Sequence, residues 1–194
     1  MKDINLFRTE DSIYLKKVRV KADLSMDDSC DGYLISGGEK ESRKIIASLR
    51  DSGRLTADGK QLLIGFVGGD DALNRRAVET LRIDYLVSPE RGNKRDSLKQ
   101  RDSGINHVVS KMAAAKGVVI IVDLSEVMSL KGKQKALRIE RIMQNVKICR
   151  KAGCGIKIAS LGSSKKDLVE EKGRVAIGVS FGMSTRQGAD AVRF

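Results

Sequence analysis

The sequence predicts an α/β fold whose mostly parallel sheet curls toward a barrel, and three observations lead there. From Gly32 onward, short apolar runs alternate with longer amphipathic stretches, the rhythm of successive β/α units. The apolar runs are continuous rather than interrupted by polar residues, so both sheet faces are covered, as in parallel sheets. The 194 residues, 41% of them hydrophobic, suit one domain with one core and fall short of the ~250 typical of an eight-fold barrel. A flat doubly wound sheet has the same rhythm and is the competing architecture.

Two strand-like pieces open the chain, at 4–7 and 14–20, the second with alternating Lys and Arg; an acidic turn follows at 27–31. Clearer strands are expected at 33–35, 62–67, 83–87, 118–122 and 156–158. Helices are expected at 39–51, 70–81, 103–115 and 133–152. Asp70 or Asp71 and Ser103 are placed as N-caps, and Gly117 and Gly153 lie just past C-terminal ends. With one proline, no Ser/Gly-rich linker and no internal repeat, residues 1–194 read as a single barrel-like domain.

Lys and Arg number 37 against 25 Asp and Glu, a formal net charge of +12, which favours polyanionic partners. Four Phe, three Tyr and no Trp argue against a basic aromatic membrane helix and against single-strand binding by stacking. Contacts should therefore be ionic and directed to phosphates; the competing reading is a merely solvated basic surface. No run approaches the ~18 apolar residues of a membrane span, and the start, Met1-Lys2-Asp3-Ile4-Asn5, lacks a signal-peptide core, so a cytoplasmic protein with no membrane partner is expected. Cys30, Cys149 and Cys154 form no C-x-x-C pair and read as reduced core thiols.

A single histidine, His107, cannot supply the ligand cluster of a barrel metallohydrolase. The turns Ser36-Gly37-Gly38 and Gly68-Gly69 match no phosphate-loop fingerprint, so no nucleotide cofactor is expected. The segment 88–104 is more informative, because it follows a strand and carries Arg91, Lys94, Arg95, Lys99 and Arg101 against three acids. Loops after strand C-termini form the functional face of such folds, so it reads as a phosphate-backbone clamp, or else as a solvated loop. Ser103 capping the next helix would offer an anion its free N–H groups, with Asn106, His107 and Lys111 on the same turns; the competing reading is a plain cap. Along 133–152, Ile139, Ile142, Met143, Val146 and Cys149 make the expected buried stripe. Lys133, Arg141, Lys147 and Lys151 lie off it, and Arg138 joins them as a candidate phosphate contact, while Arg150 sits at the stripe edge.

The order of four segments then becomes specific: Ile83-Asp84-Tyr85-Leu86-Val87-Ser88-Pro89, Arg101-Asp102-Ser103-Gly104-Ile105-Asn106-His107, Gly117-Val118-Val119-Ile120-Ile121-Val122-Asp123 and Arg141-Ile142-Met143-Gln144-Asn145-Val146-Lys147. Together they resemble the archaeal ribonuclease P protein component 3, the family of the thirty-kilodalton subunit of eukaryotic ribonucleases P and MRP. The resemblance covers about residues 32–183. It implies a TIM-barrel-like α/β fold of the polymerase and histidinol phosphatase type, about seven strands ringed by helices, without the metal site. It also turns 174–179, a strand by pattern alone, into helix. The implied role is a non-catalytic subunit of the ribonucleoprotein that removes 5′ leaders from precursor tRNA. Its partners would be the ribonuclease P RNA, precursor tRNA and other protein subunits, especially a small one. The chain would bind no cofactor of its own, and Mg²⁺ would serve the RNA. The runner-up function is a stand-alone barrel phosphoesterase. One departure stands out: Arg95-Asp96-Ser97 precedes Arg101-Asp102-Ser103, as though a basic insertion had lengthened the loop.

Overall fold

Each strand of the sequence pairs with the next one in the chain, always in parallel. The computed structural model describes residues 2–10, 12–24, 29–56, 58–93, 96 and 101–194. Within them run β1 (Asp3–Asn5), β2 (Ser12–Val18), β3 (Gly32–Ile35), β4 (Leu63–Val67), β5 (Tyr85–Val87), β6 (Val119–Asp123) and β7 (Ile156–Ala159), paired in that order. The ring then closes, because the N–H of Leu161, just beyond β7, donates to the carbonyl of Ile4 at 2.9 Å. The N–H of Leu6 donates in turn to the carbonyl of Gly162, also at 2.9 Å. Sequential order with closure excludes the flat doubly wound sheet, whose strand order reverses part-way. Both doubtful strands of the first 30 residues are present as β1 and β2.

Described helices surround the barrel: α1 (Glu39–Asp51), α2 (Asp71–Thr80), α3 (His107–Lys116), α4 (Leu124–Ser129), α5 (Gly132–Ala152), α6 (Glu171–Ser180) and α7 (Thr185–Ala191). Continuous apolar strands supply two cores, one on each side of the sheet. Leu34, Val87, Ile121 and Ala159 fill the bore, while their neighbours Ile35, Leu86, Ile120 and Ile158 face the helices. On α1 the inner stripe is Ser42, Ile45, Ile46 and Leu49, at helical spacing. Asp70 caps α2 by accepting from Leu73 N–H at 2.8 Å, as its position before Asp71-Ala-Leu implies. Residues 174–179 are helical within α6, in agreement with the family resemblance and against the local pattern.

The seam between β7 and β1 rests on one carboxylate. Asp3 Oδ1 accepts from the N–H of Ile4 (2.8 Å) and of Ser160 (3.2 Å) and from Arg174 Nη1 of α6 (2.7 Å). Both side chains are buried, at 12% and 3% exposed, so neither charge has water to fall back on. Asp3→Ala should lower the unfolding free energy by about 3–5 kcal/mol by stranding the Arg174 guanidinium. Adding Arg174→Met should recover part of that loss in urea unfolding; an additive second loss would place the stabilisation elsewhere.

Candidate nucleic-acid interface

Segment 88–106 connects β5 to α3 at the C-terminal end of the strands, where barrels build their functional faces. Polar side chains from two helices hold its described ends. From α2, the fully buried Asn74 donates through Nδ2 to the carbonyls of Pro89 and Gly104, both at 2.8 Å, and accepts from Gly69 N–H at 2.8 Å. Gly104 is required there: its φ is +77°, and a Cβ would lie 1.8 Å from the Pro89 carbonyl oxygen. From α5, Arg141 donates to the carbonyls of Glu90 (3.2 Å) and Gly92 and to the carboxylate of Asp96 (2.9 Å). Gln144 Nε2 reaches the Arg101 carbonyl (2.8 Å) and Ser103 Oγ (3.0 Å), and Asn145 Nδ2 reaches the Ser103 carbonyl (2.9 Å).

These bonds correct two expectations. Ser103 does not cap the helix; it is buried, and Asn106 is the N-cap, its Oδ1 accepting from Val109 N–H at 3.0 Å. The cap moves three residues along because the Ser103 hydroxyl and carbonyl are already engaged by α5. Nor does Arg141 lie on the outer face of α5. At 4% exposed it sits inside, and the fully buried set is Arg141, Ile142, Asn145, Val146 and Cys149, with Ile139 and Met143 only half-buried. The helix is rotated so that polar residues meet the loop's carbonyls.

The remaining candidates divide by charge balance. Arg91 and Arg138 share Glu126 Oε1, at 3.1 and 2.7 Å, and Arg138 is mostly buried. Arg101 lies 2.7 Å from Glu140 and 3.7 Å from Asp96. An open cleft of about 710 Å³ lies between the loop and the start of α5, lined by Arg91, Arg101, Lys133 and Arg138 with Leu130 and Leu137. Lys133, Lys147 and Lys151 of α5 are exposed, as are Asn106, His107 and Lys111 at the start of α3; these lysines make no ion pair among the described residues. Lys94, Arg95 and Lys99 lie outside the described residues.

The carboxylates that face Arg91, Arg138 and Arg141 were not foreseen as a group. Burial pushes Glu90 up to about 7, with Arg138 pulling down and Glu126 and Asp123 pushing further up. Burial likewise raises Asp123 to about 6, against the pull of the Glu126 N–H, Arg91 and Lys17. Asp96 goes the other way: burial raises it, but the Asp102 N–H, Arg141 and Arg101 outweigh that and hold it below the ordinary range. Among the described residues, no three His, Cys, Asp or Glu side chains are placed to hold a metal ion. Asp123 also caps α4 by accepting from Glu126 N–H at 3.0 Å, and the Asp-x-x-Glu spacing is a sequence signal that reveals this short helix. Asn74, Gln144 and Asn145 carry no comparable signal, since an amide in a helix reads as solvated.

The family model described as RNase P subunit p30 matches residues 57–193, a span that contains the whole loop, both pinning helices and the barrel's closing half. The chain belongs to the RNase P subunit p30 family. It is 30% identical over 125 residues to a ribonuclease P protein component 3 from Methanothermobacter thermautotrophicus, covering 64% of this chain and 48% of that one. Similarity to the component 3 of Thermococcus gammatolerans is 28% over 127 residues, covering 66% and 56%. The chain thus spans about half the length of the curated relatives it matches. In structure it is similar to a chain in the cryo-EM structure of archaeal ribonuclease P with mature tRNA, with a TM-score of 0.64 at 21% identity over 82% of this chain and 64% of that one, a likeness of fold.

Two outcomes are expected of this p30-family barrel. Arg141→Ala takes the guanidinium from Asp96, which keeps the Asp102 N–H and the more distant Arg101, and from the carbonyls of Glu90 and Gly92, so it should cost about 3 kcal/mol and speed amide exchange at 90–92 and 101–104 more than in β2–β4. Glu90 is protonated in the fold between its ordinary value of 4.5 and about 7. The stability this represents is complete below pH 4.5 and is lost as pH rises through 7. At about 1.4 kcal/mol per tenfold change in proton affinity, Glu90→Gln should gain about 3 kcal/mol on the parent at pH 8 and nothing at pH 4. Chemical unfolding across that range is the check, and a gain independent of pH would locate the effect in packing.

Proposed function

We propose that the chain is a non-catalytic protein subunit of a cytoplasmic ribonuclease P, the ribonucleoprotein that removes the 5′ leader from precursor tRNA. Membership of the p30 family over 57–193 carries this reading. The partners are then the ribonuclease P RNA, precursor tRNA within the holoenzyme and further protein subunits, a small one in particular. Mg²⁺ serves the RNA rather than this chain. The net charge of +12 and the exposed lysines of α3 and α5 support contact with RNA phosphates.

Charge already neutralised inside the protein releases few counterions on binding. Lys111, Lys133, Lys147 and Lys151 therefore supply most of the electrostatic affinity, with Asn106 and His107 beside them and Lys94, Arg95 and Lys99 adding charge from the loop. Arg91 and Arg101 contribute less, because each must first leave a carboxylate. Arg138 acts on the scaffold, through Glu126.

Reconstitution with a cognate ribonuclease P RNA and its other subunits tests the role: this chain should raise precursor-tRNA cleavage, and alone with Mg²⁺ or Mn²⁺ it should cleave nothing. Metal-dependent cleavage by the isolated chain would instead identify a phosphoesterase. For the interface, each lysine-to-alanine change should reduce the slope of log K against log salt by about 0.7–0.9. Arg138→Ala should lower the melting temperature and leave the slope near that of the parent. An unchanged slope in the four-lysine variant would move the RNA to another face.

A further inference from the structure

Helix α5 ends in a tight reversal that sets two cysteines side by side. Gly153 takes φ +69°, and the N–H of Cys154 reaches back to the carbonyl of Cys149 at 3.0 Å. In this Schellman arrangement the residues on either side of the reversal touch, a contact apolar side chains usually fill. Here both positions are cysteine, so the reversal that joins the Cys154 N–H to the Cys149 carbonyl also sets their side chains next to each other, and the Cys154 thiol donates to the carbonyls of Val118 (3.7 Å) and Gly155 (3.6 Å). Cys149 is sealed at 0% exposed. Cys154, at 7% exposed, lines an open groove of about 520 Å³ between the start of β7 and α7, with Arg150, Lys157, Gln187 and Asp190.

Exposure assigns the roles. Cys154 is the sulfur that a solute in the groove can reach, and Cys149, sealed behind it across the reversal, is the sulfur placed to resolve it.

We propose that Cys149 and Cys154 are a two-cysteine oxidation site that closes to an intramolecular disulfide on reaction with a hydroperoxide. In the first step Cys154 sulfur attacks one peroxide oxygen, the O–O bond breaks, and the departing oxygen takes the thiol proton and leaves as water or alcohol. Cys154 is then a sulfenic acid. In the second step Cys149 sulfur attacks Cys154 sulfur, the S–O bond breaks, and hydroxide leaves with the Cys149 proton as water. Two thiols lose two electrons, which the peroxide has gained. The bond ties the last turn of α5 to the start of β7.

The two cysteines are separated by Arg150 and Lys151, so trypsin cuts between them and only a disulfide holds the fragments together. Native protein is treated with hydrogen peroxide, quenched with an alkylating agent and digested without reductant. The expected product is a Cys149–Cys154 linked peptide pair, released by dithiothreitol, with Cys30 still alkylated; Cys30→Ser protein should give the same pair. In Cys149→Ser, dimedone should label Cys154. Alkylation of all three cysteines, direct passage to sulfinic or sulfonic acids, linkage through Cys30 or disulfide dimers would each overturn the proposal.

Discussion

Closure of the sheet is the constraint on which everything else hangs, because a parallel ring leaves no edge only if its last strand finds its first. The first strand has three residues, too few for a long ladder. Two backbone hydrogen bonds and the Asp3 carboxylate complete the seam, the carboxylate gathering β1, the end of β7 and α6 at one oxygen. A buried carboxylate in that position is stable only with Arg174 beside it, so the closing helix and the first strand specify each other.

Once the ring is closed, α2 and α5 stand on either side of the loop that follows β5. Loop backbone passing beneath helices must find partners for its carbonyls, and Asn74, Arg141, Gln144 and Asn145 provide them. The cost is that α5 gives up part of its apolar stripe to polar groups. The gain is a fixed platform at the C-terminal end of the barrel, from which Arg91 and Arg101 project and beside which α3 begins at His107.

Charge is sorted by depth. Arginines near the barrel pair with Glu126, Asp96 and Glu140, where planar guanidinium groups share carboxylates and carbonyls at fixed geometry. Lysines occupy the outer faces of α3 and α5, where a hydrated point charge on a flexible stem suits a phosphate backbone. The same net charge is thus divided between a scaffold role and a surface role.

The strands, helices α1, α2 and α5, the body of α3 and the glycine C-caps were legible in the sequence, because these follow from nearest-neighbour physics: apolar runs, helical spacing and positive φ. Asp70 and Gly117 illustrate it, the first opening α2 and the second ending α3 as their residue types dictate. Order of motifs also sufficed for the family. Tertiary structure alone decided which way α5 faces, since turning Arg141 inward depends on carbonyls some fifty residues earlier in the chain. It likewise decided that Ser103 is an acceptor for Gln144 rather than a cap, and which cations are free to meet a phosphate. Long-range hydrogen bonds and ion pairs leave no periodicity in a sequence; only the closed ring brings their partners within reach.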